Sequence, residues 1–202
     1  MPPRSLPRVE AFAAHSLDGF IARPDGDTGW LLGQTVPEGE DFGLAAFMRT
    51  MGAVVMGAAT YARARRLPRW PYPVPVVVMT PQPGAGTVPP DLVGQVRITD
   101  DPPQAVLADL TGWGIDRVCL DGEGTLRRFL AERLVDRLVL TQVPVLLGQG
   151  VALFGHGPGE IGARLVRVRR WRNGFVQMVY DLDPAPLRNT ASRNAGSSLR
   201  RG

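Results

Sequence analysis

The chain has 202 residues, 44% hydrophobic and 21% charged, which is enough for one domain with a substantial core. Its single cysteine excludes a disulfide framework and a Cys-ligated zinc site, and fits a reducing, cytoplasmic setting. All 23 basic residues are arginine, which excludes a Schiff-base lysine and a Walker A lysine. The net charge of +4 sits in the tail: past Asp183 stand Arg188, Arg193, Arg200 and Arg201 and no acid, so residues 1–183 are neutral overall and give no argument for a specific nucleic-acid partner. No apolar run reaches the roughly 18 residues of a membrane span. The opening MPPRSLPRVEAF lacks the apolar segment of a signal peptide.

Residues 1–8 are Pro-rich and read as a loose arm. Val9 to His15 alternates and predicts the first strand, followed by a turn at Asp18-Gly19. A long polar loop from Arg23 to Asp41 carries Trp30-Leu31-Leu32; a loop of this length is functional or mobile. Phe42 to Met51 has helical spacing. Ala53 to Met56 is an apolar strand closed by Gly57, and a short helix is expected from Thr60 to about Arg66. Val74 to Met79 is a β-branched run of the kind buried on both faces of a parallel sheet.

Val96 to Ile98 predicts a short strand, and Asp100-Asp101-Pro102 a helix start with an acidic cap. Val118 to Leu120 then runs into Asp121-Gly122-Glu123-Gly124, with Thr125 as the cap of a helix whose buried face is Leu126, Phe129, Leu130 and Leu134. Leu138 to Val145 is a further strand, ended by Pro144 and the Gly148-Gln149-Gly150 turn. Ala163 to Trp171 and Phe175 to Leu182 flank Asn173-Gly174, a strong hairpin signal. Residues 184–202 read as a disordered, Arg-dotted tail. The pattern predicts an α/β fold: three layers, a mostly parallel central sheet with helices on both faces, and a C-terminal antiparallel hairpin. It assigns 9–183 to one domain.

Ligands of such sheets bind outside the carboxyl ends of the strands. Three loops leave strand ends there, after Met56, after Met79 and after Leu120, and the first and last are Gly-containing turns. Gly57-Ala58-Ala59-Thr60 is read either as a phosphate cradle with the Thr60 hydroxyl or as a tight turn with an N-cap. Asp121 to Thr125 has the same two readings, with the Glu123 carboxylate opposing a phosphate unless it points away. Asp18 is either a polar substrate contact at the sheet edge or half of an Asp-Gly turn. His15 and His156 lie far apart, which argues against a metal site. The arginines at 164, 167, 169, 170 and 172 are either an anion surface or the charged face of an edge strand.

Together, Ser16-Leu17-Asp18-Gly19-Phe20-Ile21-Ala22, Gly26-Asp27 to Trp30-Leu31, Val55-Met56-Gly57 to Thr60-Tyr61, Asp121-Gly122 to Phe129-Leu130, Leu134-Val135-Asp136 and Pro144 to Leu153-Phe154 resemble the dihydrofolate reductase superfamily. The branch they resemble is the C-terminal reductase domain of the bifunctional riboflavin-biosynthesis protein. The resemblance implies a stand-alone, homodimeric oxidoreductase that moves hydride from NADPH, or NADH, to a small heterocyclic C=N, C=C or carbonyl substrate. It implies a cofactor site at Ala14, Gly57, Thr60, Thr80, Asp121, Gly122, Glu123, Gly124 and Thr125. It places substrate at Asp18, Gly19 and Trp30, with Asp18 as the catalytic contact or proton relay and Trp30 as a lid or stacking residue. Two positions depart from the pattern: Glu123 stands where the family pairs a second glycine, and Ala58 where it often carries a base. The alternative is a scaffold of the same fold that has lost cofactor affinity.

Overall fold

The uninterrupted apolar runs form the middle of an eight-stranded sheet. Residues 6–82, 88–155 and 159–183 are described in this computed structural model, and the arm at 1–5, His156 and the tail at 184–202 lie outside them. In chain order the strands are β1 (Arg8–Ser16), β2 (Phe20–Ala22), β3 (Ala53–Gly57), β4 (Val76–Met79), β5 (Val96–Thr99), β6 (Arg117–Asp121), β7 (Arg137–Val143), β8 (Val151–Ala152), β9 (Ala163–Arg170) and β10 (Val176–Leu182). The helices are α1 (Gly29–Leu32), α2 (Leu44–Met48), α3 (Ala58–Ala64), α4 (Pro103–Gly112) and α5 (Glu123–Ala131).

The sheet order is β5-β4-β3-β6-β1-β7-β10-β9; β2 and β8 pair as a separate ribbon. Strands β5 through β7 are parallel, whereas β10 runs antiparallel to both β7 and β9. The period-2 alternation of side chains splits each central strand between two cores. Val55, Val77, Val118 and Leu120 face α4 and α5, and pack on Leu107, Leu110, Leu126 and Phe129. Val54, Met56, Val76 and Val78 face the other way, against Tyr61 of α3 and Phe47 and Met48 of α2. The expected three-layer α/β architecture with a C-terminal hairpin is therefore present.

Several local expectations change. α2 covers only Leu44–Met48, because Phe42 and Gly43 both have left-handed backbones (φ 55° and 87°). Phe42 leaves the helical face and stacks on Phe175, ring centroids 4.8 Å apart. Neither Thr60 nor Thr125 is an N-cap: α3 is preceded by Gly57 and α5 by Gly122, so each threonine lies inside its helix. Asp101 does not cap α4, which begins behind Pro102; its carboxylate accepts from Arg97 and Thr99 instead.

Strand β7 stops at Val143, since Pro144 has no N–H to continue the ladder. The hairpin loop is three residues long: Trp171 N–H donates to the Phe175 carbonyl, and Gly174 takes the left-handed position (φ 87°) that this loop class requires.

Parallel pairing aligns the strand ends that carry the chemistry. Gly57 is opposite Met79, Met56 opposite Asp121, and Ser16 opposite Val143. β1 runs past β6, whose last partner on it is Ala11, so Ala13 to Ser16 project beyond the β6 end.

Candidate functional site

Two strand–glycine–helix units interlock at the carboxyl edge. In β3–Gly57–α3 the glycine faces Thr125 of the other unit, 3.5 Å from its Oγ1 to an added Cβ. In β6–Gly122–α5 the glycine faces Thr60, and any Cβ there would collide with Thr60 Oγ1. Gly122 also has φ 90°, which an L side chain rarely adopts. Gly122 thus allows close approach of Thr60, whereas a side chain at Gly57 would make only ordinary contact, and a cleft of about 210 Å³ remains between the two junctions. Its walls are Gly57, Ala58, Ala59, Thr60, Met79, Glu123, Gly124, Thr125 and Arg128.

The polar groups of this cleft are arranged for an acceptor-rich ligand. Among the described residues neither α3 nor α5 has a side-chain cap, so the first-turn N–H groups of α5 carry the positive end of that helix. Thr125 is 6% exposed, yet its hydroxyl makes no hydrogen bond among the described residues. Thr60 Oγ1 accepts from Arg63 at 3.3 Å. Arg128 lines the cleft and forms no ion pair among the described residues. Glu123 lines it too, with its carboxylate 3.8 Å from Arg127.

A second cleft of about 280 Å³ shares Ala58 and continues along β4, lined by Tyr61, Ala62, Arg65, Val78, Thr80, Gln82 and Ile98. The two clefts meet at Ala58. Arg65 is the charged residue on the wall of the second, held over the Tyr61 ring at 5.9 Å.

The structure therefore brings Gly57, Thr60, Glu123, Gly124 and Thr125 to one cleft and Thr80 to the second. Asp121 and Gly122 stand just behind. The Asp121 carboxylate accepts a short hydrogen bond from the Tyr72 hydroxyl, whose pKa burial and that neighbouring charge push well up. Ala14 is not on the cleft wall; it packs beside Trp30, Val143 and Phe175. Trp30 is 5% exposed within that apolar cluster.

Asp18 is engaged elsewhere. It accepts from Ser16 Oγ at 2.5 Å, from Leu147 N–H at 3.1 Å and from Gly148 N–H at 2.7 Å. The Ser16 hydroxyl, followed by these two amides, holds its carboxyl below the usual aspartate value. Asp18 and Gly19 thus tie the β1–β2 turn to the Gly148 turn, and Leu153 N–H closes the same junction on the Gly19 carbonyl.

Three features escaped the sequence reading. Arg127 and Arg128 lie within α5 and belong to no motif that marks a site. Tyr72 lies in an irregular stretch that pairs with Asp121 only through the fold. The long loop is anchored on the terminal hairpin, with Trp171 Nε1 donating to Glu40 at 2.7 Å and Gln177 to the Phe42 carbonyl at 2.9 Å.

A mostly parallel sheet with paired glycine–helix junctions around a cleft at its carboxyl edge, and an antiparallel hairpin at one end, is the dihydrofolate reductase-like architecture. Within it, this chain belongs to the RibD C-terminal domain family, whose model matches residues 7–177. It is 30% identical over 174 residues to the uncharacterized protein YwjB of Bacillus subtilis (strain 168), covering 84% of this chain and 94% of that one. A solved structure described as a putative riboflavin biosynthesis protein from Shewanella sp. PV-4 superimposes with a TM-score of 0.81 at 30% identity, covering 87% of this chain and 99% of the other. The Thermotoga maritima diaminohydroxyphosphoribosylaminopyrimidine deaminase/5-amino-6-(5-phosphoribosylamino)uracil reductase shares the fold at TM-score 0.69 and 18% identity; this chain covers 57% of that longer protein.

Proposed function

We propose that the protein is an oxidoreductase that binds a reduced nicotinamide dinucleotide, NADPH before NADH, across the two clefts that hold Gly57, Thr60, Thr125 and Thr80, and reduces a small heterocycle beside it. The observation that carries this reading is the Thr125 hydroxyl, which makes no hydrogen bond among the described residues and stands on the cleft wall beside Arg128 and the first turn of α5. A group that brings its own acceptors satisfies it. Membership of the RibD C-terminal domain family supports the cofactor class, and the pyrimidine reductions in the descriptions of relatives support the substrate class. When bound, the cofactor supplies the hydride. The protein's part is orientation and exclusion of water.

In this reading Gly57, Thr60, Gly124 and Thr125 hold the diphosphate region and Thr80 the adenosine side, while Gly122 permits the packing that shapes the cleft. Asp18 orders the turn over the substrate side. Its three donors favour the ionised form, so it acts through position, and its contact with substrate is tested separately by Asp18→Asn. The exposed apolar residues Leu165 and Val168 on edge strand β9 and the family resemblance together support a homodimer.

Titration with NADPH and with NADH, read by tryptophan fluorescence and calorimetry, tests the assignment. Saturable binding with tighter NADPH is the expected result. Binding of neither cofactor favours the second reading, a scaffold without cofactor affinity, for which Glu123 on the cleft wall is the specific observation.

A further inference from the structure

The charged residues lining the first cleft are Glu123 and Arg128. A bare carboxylate there would repel a diphosphate. The geometry points to a two-arginine solution: we propose that Arg128 is a ligand of the cofactor's diphosphate, and that Arg127, which does not line the cleft, makes this possible by pairing with Glu123. This rests on the dinucleotide reading above and adds the residues that decide whether the site accepts an anion.

Three observations carry it. Glu123 Oε1 and Arg127 Nη2 are 3.8 Å apart at i and i+4, the favourable order with the acid nearer the helix N-terminus. The pair is half-shielded, with side-chain exposures of 25% and 37%. Arg127 is also confined on its other side: it lies over Gly155, where an added Cβ would meet Nη1 at 2.6 Å. A glycine with φ 57° leaves that space free. The Glu123 charge is therefore offset from behind. Arg128, one residue on, is left without a protein partner among the described residues, facing the cleft that also holds the unpartnered Thr125 hydroxyl. The local balance is one uncompensated positive charge, suited to a bridging diphosphate.

Calorimetric titration of the full-length protein with ADP, NADPH and NADH tests this. Arg128→Gln weakens ADP binding about tenfold, as expected for loss of a charge-assisted contact. Arg127→Gln weakens it about threefold, the scale of one partly exposed charge pair. Arg127→Lys stays near wild type. The double variant Glu123→Gln/Arg127→Gln recovers wild-type affinity, which a merely structural role for Arg127 would not produce. The proposal is overturned if Arg128→Gln leaves ADP binding unchanged, or if the double variant remains as weak as Arg127→Gln alone. A wild type that binds ADP but neither dinucleotide overturns the reductase reading and leaves this assignment standing; one that binds none of the three overturns both.

Discussion

At the scale of single residues, glycines and one aspartate do most of the positioning. Gly122 meets two independent demands, a left-handed backbone and contact with Thr60. Gly122→Ala is expected to cost about 2–3 kcal/mol, from backbone strain plus collision. Adding Thr60→Ala should recover the collision part and leave the strain, which denaturant melts of the two variants will separate.

Asp18 gives a pH prediction. Its folded-state pKa is lowered, chiefly by the Ser16 hydroxyl. A lowered pKa means that the carboxylate's contribution is present above the unfolded value and is lost as pH falls through the folded one. The Leu147 and Gly148 amides should therefore stay protected from hydrogen exchange down to the ordinary aspartate range and lose protection only below it. Asp18→Asn should remove that pH dependence and raise exchange of both amides at neutral pH. Unchanged exchange in the variant would sink the role assigned to Asp18.

At the scale of elements, the sheet's amino edge is held by charge as well as by apolar packing. Glu10 on β1 is 1% exposed and pairs with Arg117 on β6 at 2.6 Å and Arg8 at 3.2 Å. Sequence alternation alone put Glu10 on a strand face without saying that the face is buried. Removing it leaves Arg117 without its partner, so Glu10→Ala should destabilise the fold by about 3 kcal/mol in a denaturant melt.

The terminal hairpin is the other informative element. Its Arg-rich strand β9 is the sheet edge, and each of its eight residues is exposed. Arg169 stacks over Trp171 at 4.5 Å and Arg164 bonds Asp181 at 2.9 Å, so part of the run serves the hairpin itself. Leu165 and Val168 lie exposed beside these arginines. A light-scattering mass of two chains is the expected result, shifting to one chain in Leu165→Glu/Val168→Glu.

At the scale of the whole molecule, the candidate cleft depends on the ends of β3, β4 and β6 arriving side by side. The β3–β4 and β3–β6 registers set Gly57, Met79 and Asp121 side by side, and the two glycine–helix junctions then close on each other's threonines. The long loop contributes from a distance. It reaches the far end of the sheet and docks through Glu40 and Phe42 on the hairpin. Trp171→Phe removes the Glu40 hydrogen bond while keeping the ring. It should loosen the 23–42 loop at a modest cost of about 1 kcal/mol in stability, visible as faster exchange of the loop amides.

The fold class was legible because its signals are local: unbroken apolar runs for strands covered on both faces, period 3.6 for α5, and Asn-Gly at the hairpin. The motif order pointed to the family for the same reason. The candidate cleft was half legible. Gly57, Thr60 and the Asp121 to Thr125 turn could be singled out because glycine at a strand end carries its own conformational signature.

Long-range geometry settled what the sequence left open. The expected and observed caps differ by three residues of register in both helices, Thr60 against Gly57 and Thr125 against Gly122. Whether Glu123 obstructs the cleft depends on Arg127 and on the space over Gly155, 28 residues further along the chain. The Glu123–Arg127 spacing of four is readable in the sequence, whereas the Arg127–Gly155 contact arises only when the chain folds, and periodicity carries no trace of it.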